Sequence, residues 1–168
     1  MVKILFVCHG NICRSTMAEY VMRHLVAERG LEDVIWCDSA GTSTEEMGNP
    51  VHPGTQRVLA AHGVYCGNHH ARQMHRSDYD DYDLLIGMDD NNRYNMMRLL
   101  LGRTRWGWHL SEEDMAKADP EGKVHLLLDW SGHPRDIADP WYTHDFDTTY
   151  ADIVEGCETL LDALVDEQ

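Results

Sequence analysis

Two side chains near the start of the chain can do chemistry together: the thiol of Cys8 and the guanidinium of Arg14, in V-C-H-G-N-I-C-R-S. A thiolate is a nucleophile, and a guanidinium is a planar fork matched to two oxygens of a phosphate. A short loop between them would aim its backbone N–H groups inward, at the positive end of a following helix dipole. A tetrahedral oxyanion fits there, and so does a thiolate. Ser15, directly after the arginine, can donate to the sulfur, so the nucleophile needs no histidine base. This is the equipment of phosphoryl transfer, where a preformed cradle for the equatorial oxygens supplies most of the catalysis. The leaving group still needs a proton. Asp139, set by Pro140 on a stiff loop, is the candidate acid, kept protonated by burial and by the bound phosphate. Trp141 and Tyr142 beside it would wall the mouth and grip an aromatic substrate.

Spacing alone is weak support. With five Cys in 168 residues, chance predicts roughly 0.3 matches to Cys-x5-Arg. Cys66 and Arg72 form a second match, but it follows Gly63-Val64-Tyr65 and precedes Gln73. The first match has context: an apolar run before it, Gly10 and Asn11 inside it for unusual dihedrals, a hydroxyl after it, and helix-forming sequence beyond. The plain alternatives are a buried structural thiol at a strand end for Cys8 and a turn initiator for Asp139-Pro140.

The elements that must position these groups follow from apolar patterning. The run 4–7 reads as a strand. Thr16-Met17-Ala18-Glu19 has the form of a capping box, opening a helix with Met17, Tyr20, Val21 and Leu25 on one face and Gly30 as its stop. Further strands are expected at 33–38, 83–88 and 124–128, and helices at 55–62, 91–101 and 147–165, with a short one capped by Ser111. Residues 43–54 and 129–146 read as loops, and 103–123 is the least legible stretch, where Trp106 and Trp108 suggest packing. Four apolar strands alternating with helices predict a parallel sheet covered on both faces. Cys8, Ser39, Asp89 and the 129–146 loop all follow strand ends, which puts them on the edge where such sheets bind ligands.

Composition sets bounds. The length suits one domain spanning 1–168. A net charge of −15 argues against nucleic acid and anionic membrane surfaces as partners, so attraction for a phosphate must be local. The N-terminal apolar run is too short for a signal peptide, and no stretch approaches membrane-spanning length. Five irregularly spaced Cys do not form a secreted disulfide framework, so a reducing, cytoplasmic location is expected. Cys66-x2-His69-His70 lacks a fourth ligand at sensible spacing, so no metal and no cofactor are expected.

The chain resembles the low-molecular-weight protein tyrosine phosphatase family. The matching segments are V-C-H-G-N-I-C-R-S-T-M-A-E, D-S-A-G-T at 38–42, G-N-P at 48–50, H-H-A-R-Q at 69–73, Y-D-L-L-I-G-M-D at 82–89 and A-D-P-W-Y at 138–142. The resemblance implies a flavodoxin-like three-layer α/β sandwich with a four-stranded parallel sheet in the order 2-1-3-4. It implies a phosphocysteine on Cys8, phosphate binding by Arg14, and Asp139 acting first as acid and then as base. His9, Gly10, Asn11, Ile12, Cys13 and Ser15 would form the phosphate loop. Ser39 and His69 would support it, with Asp89 as the partner of His69. Cys13 would be the redox partner of Cys8.

The implied substrates are phosphotyrosine proteins and small aryl phosphates, with inorganic phosphate or another oxyanion also bound by the loop and a monomer or weak dimer as the working form. Two departures stand out. Glu45 and Glu46 occupy a segment where the family often has an aromatic wall, and His9 replaces a small or apolar residue. Ile12 agrees with tyrosine phosphatases, where related arginine phosphatases tend to have Thr. Arsenate reductase is a rival on the same loop, but it needs further cysteines, and residues 80–100 contain none. A phosphate-binding module without catalysis would usually lack Cys8, Arg14 or Asp139.

Overall fold

A computed structural model describes residues 1–103 and 109–167. The expected packing of Trp106 and Trp108 lies outside those residues. Four strands form one parallel sheet: β1 (Val2–Cys8), β2 (Ile35–Gly41), β3 (Leu84–Gly87) and β4 (Val124–Leu126), in the order β2-β1-β3-β4. This is the flavodoxin-like arrangement implied above. Strand β1 is central, and its side chains alternate between two cores as the period of a strand demands. Ile4, Phe6 and Cys8 face one layer, made by α1 (Arg14–Glu28), α2 (Pro53–Ala61) and α7 (Phe146–Asp166). Leu5 and Val7 face the other, made with α3 (Asp78–Asp81), α4 (Asp90–Leu100) and α5 (Glu112–Ala118). With both faces covered, Ile4 to Val7 are completely buried, which is why the strand reads as an unbroken apolar run.

Some boundaries differ from those expected. Strand β2 starts later and runs through Ser39, Ala40 and Gly41, because it stays paired with β1 as far as Cys8, opposite Gly41. Strand β4 stops at Leu126. Asp129 accepts a hydrogen bond from the Leu126 amide at 3.0 Å and turns Leu127–Trp130 into a 3-10 turn. Helix α7 then passes so close to Leu127 that a Cβ on Gly156 would lie 2.5 Å from its Cγ. Ser111 caps α5 in a reciprocal box with Asp114, as expected. The capping box at the start of α1 does not form. That helix begins at Arg14, its N-cap Cys13 makes no side-chain cap, and Glu19 is drawn into the site instead. Among the described residues, no helix is long and apolar enough to cross a membrane.

Candidate active site

The site lies where β1 hands over to α1. Asn11 adopts φ 61°, a left-handed conformation that asparagine tolerates better than most residues, and this turns the chain back over the end of the strand. The Asn11 amide then points at the Cys8 sulfur, 3.3 Å away, and the Ser15 hydroxyl meets it at 3.0 Å. The loop can lie this close to β2 because residue 41 is glycine. A Cβ there would sit 2.8 Å from the His9 carbonyl oxygen. The first turn of α1 carries neither an acidic residue nor a side-chain cap, so its N–H groups are left to whatever anion occupies the loop.

Beneath the loop the Asn11 side chain is fully committed. Its amide nitrogen donates to Ser15 Oγ at 2.8 Å and to Ser39 Oγ at 3.0 Å. Its oxygen takes His69 Nε2 at 2.7 Å and the Arg72 amide at 3.1 Å. Ser39 donates to Glu19 Oε1 at 2.7 Å, and His69 Nδ1 lies 3.6 Å from the same oxygen. Glu19 is the member that sequence reasoning missed, because its position fits a capping box. The available signal was Arg23 one turn later, which pairs with Glu19 at 3.0 Å across the half-exposed edge of α1. Burial raises the Glu19 carboxyl above its ordinary range, against the Ser39 hydrogen bond and Arg23, which favour its charged form.

Arg14 is 2% exposed. Its Nη1 donates to Asp89 Oδ2 at 2.6 Å and to the Ile137 carbonyl at 2.8 Å, and its Nη2 lies 3.5 Å from Asp139 Oδ2. Burial opposes its charge, but Cys8, Asp89 and Asp139 together outweigh burial and hold the guanidinium above its ordinary value. Asp89 therefore partners Arg14 and not His69, which corrects the expectation. The reason is local: Asp89 starts α4 with Oδ1 capping the Asn92 amide at 2.8 Å, and this aims Oδ2 at Arg14. The carbonyl of Ile137 was invisible to a reading of side chains. Its own amide bonds the Met88 carbonyl at 2.9 Å and ties the segment before Asp139 to the residue that follows β3.

Asp139 caps α6 (Pro140–Thr143), its Oδ1 accepting from the Trp141 amide at 3.0 Å. Cys8, His9, Gly10, Ile12, Cys13, Glu45, Glu46, Asp139, Trp141 and Tyr142 line a pocket of about 110 Å³. A wider cavity of about 750 Å³ adjoins it through His9, Asp139 and Tyr142, and holds Arg14 and Asp89. Burial, reinforced by Cys8 and Asp139, pushes the Cys13 thiol far above its usual range and keeps it protonated. The site thus brings together a thiol, an amide cradle, a guanidinium and a carboxyl, which is a set able to transfer a phosphoryl group through sulfur.

A family model described as low molecular weight phosphotyrosine protein phosphatase matches residues 3–107. The low molecular weight protein-tyrosine-phosphatase YfkJ of Bacillus subtilis is 38% identical over 170 residues, covering 100% of this chain and 99% of its own. Its crystal structure superposes with a TM-score of 0.86, over 100% of this chain and 97% of that one. The low molecular weight protein tyrosine phosphatase SP-PTP of Streptococcus pyogenes is 34% identical, with a TM-score of 0.78 over 98% and 93% of the two chains. A Drosophila arginine phosphatase is 32% identical, with a TM-score of 0.78 over 97% and 98%. The buried loop, the fold that carries it and these relatives agree: the chain belongs to the low molecular weight phosphotyrosine protein phosphatase family.

Proposed function

We propose that this chain hydrolyses phosphotyrosine, in proteins and in small aryl phosphates, through a phosphocysteine on Cys8. One observation carries the reading: the Cys8 sulfur accepts the Asn11 amide at 3.3 Å and faces Ser15 at 3.0 Å. The same sulfur lines the pocket, where it can meet a substrate's phosphorus. The phosphoryl oxygens take the loop amides and Arg14. The sulfur attacks phosphorus, the bond to the phenolic oxygen breaks, and Asp139 gives that oxygen its proton. Water then attacks the phosphocysteine, Asp139 takes a proton from it, the sulfur–phosphorus bond breaks, and inorganic phosphate leaves.

Asp89 is a positioning residue that holds Arg14 in place for this reaction. The thiols of Cys8 and Cys13 are both free and line one pocket, which supports a protective disulfide after peroxide converts Cys8 to a sulfenic acid. All five cysteines are free, which fits work in the reducing cytoplasm. Ile12 is buried against Cys13 and Ala71 and fills the loop wall, which supports tyrosine over arginine as the phosphorylated residue. Acid-quench mass spectrometry during turnover of p-nitrophenyl phosphate tests the route. A phosphorylated Cys8 is expected, and full activity of Cys8→Ser overturns it.

A further inference from the structure

We infer that the mouth of this pocket selects a phosphotyrosine flanked by lysine or arginine, and that Glu45 is the residue that reads the cation. The inference rests on the function proposed above and narrows its substrate class. The carboxylates would mean little by themselves. They gain a ligand because the Cys8 sulfur and its amide cradle form the floor of the same pocket. Three carboxyl groups line it, and two are spoken for. Asp139 caps α6 and supplies the proton. Glu46 accepts from Asn49 Nδ2 at 2.6 Å, and its Cγ lies 3.2 Å from where a Cβ on Gly10 would sit, so it braces the loop.

Glu45 is left. Its side chain is 69% exposed and meets His9 Nε2 at 3.0 Å, which holds it over the opening. Across the same pocket stands Trp141, 51% exposed, and indole is the best aromatic face for a cation. A carboxylate and a half-exposed indole, which packs T-shaped with His52 at 5.8 Å, line one mouth and form a seat for an ammonium or guanidinium group. Glu45 also repels the phosphate dianion below it, so a substrate that brings its own positive charge gains twice.

The test uses the full chain and phosphotyrosine peptides that differ only in carrying Lys, Gln or Glu on both sides of the phosphotyrosine. Assays run at about pH 8, where imidazoles are neutral, and at low salt. The expected order of kcat/KM is Lys over Gln over Glu, spanning about tenfold. In Glu45→Gln the span shrinks by at least half, and in Glu45→Lys the order reverses. Glu167→Gln removes the same charge just beyond the far end of the 21-residue helix α7, roughly 30 Å from its start, and should leave the span intact. A flat series overturns the inference while leaving the phosphatase reading standing. So does a span unchanged in Glu45→Gln, whereas a phosphoarginine peptide turned over faster than any phosphotyrosine peptide overturns the proposed substrate along with it. No turnover of any peptide removes both.

Discussion

At the floor of the pocket, Asn11, Ser15, Ser39 and Glu19 are essentially excluded from solvent, and the Asn11 side chain alone makes four hydrogen bonds. At the mouth, Trp141 and Tyr142 are 51% and 78% exposed, and Glu45 leans on a single imidazole. Buried polar groups in a low dielectric act strongly and collectively, whereas exposed ones act weakly and one at a time. The floor can therefore carry a reaction, and the mouth can only adjust which molecules reach it. The difference also separates two kinds of change, because damage at the floor should spread while damage at the mouth should stay local.

The largest effect is expected at the sulfur. Cys8→Ser should cost about four orders of magnitude in kcat, since a hydroxyl in that cradle is a far poorer nucleophile. Retained binding of a phosphotyrosine peptide, read by calorimetry, would show the cradle intact. Next, Asp139→Asn should slow phenyl phosphate by about 10²–10³ but a dinitrophenyl ester by less than about tenfold, because only the first leaving group needs a proton. Equal slowing of both would take Asp139 out of the acid role.

Asn11→Gly keeps the left-handed turn and loses the side-chain bonds. It should destabilise the fold by about 1–3 kcal/mol in urea titrations and lower kcat as well. Asn11→Ala should add about 1 kcal/mol more, for the strain at φ 61°. Gly and Ala variants of equal stability would mean the backbone is not strained there. The smallest effect belongs to the mouth: Trp141→Ala should raise KM a few-fold and leave thermal stability unchanged. A large loss of stability from that change would erase the distinction between floor and mouth.

How much of this was readable in advance follows the same division. The central strand, the loop and the helix after it are visible because apolar burial on both faces and a fixed spacing of reactive groups leave plain marks. The gathering of Cys8, Ser39, Asp89 and Asp139 on one edge follows from strand-helix alternation, whereas the order of the strands follows only from the family resemblance. Which polar group meets which does not. The family resemblance pairs Asp89 with His69, but a cap at Asn92 turns its other oxygen to Arg14. Glu19 was read as a local cap, because its partner Ser39 lies 20 residues away and only the fold brings the two together. Backbone acceptors such as the Ile137 carbonyl leave no trace in side-chain types at all.

Helix α1 opens on Cys13 without any side chain closing its first turn. Most helices terminate themselves, but under the function proposed above the terminating group here would come from solution. Whatever tetrahedral anion settles there completes the secondary structure as well as occupying the catalyst. Product inhibition and heat protection by inorganic phosphate are then expected to report one free energy through two instruments. An enzyme built this way is at its least stable when it is most available for work.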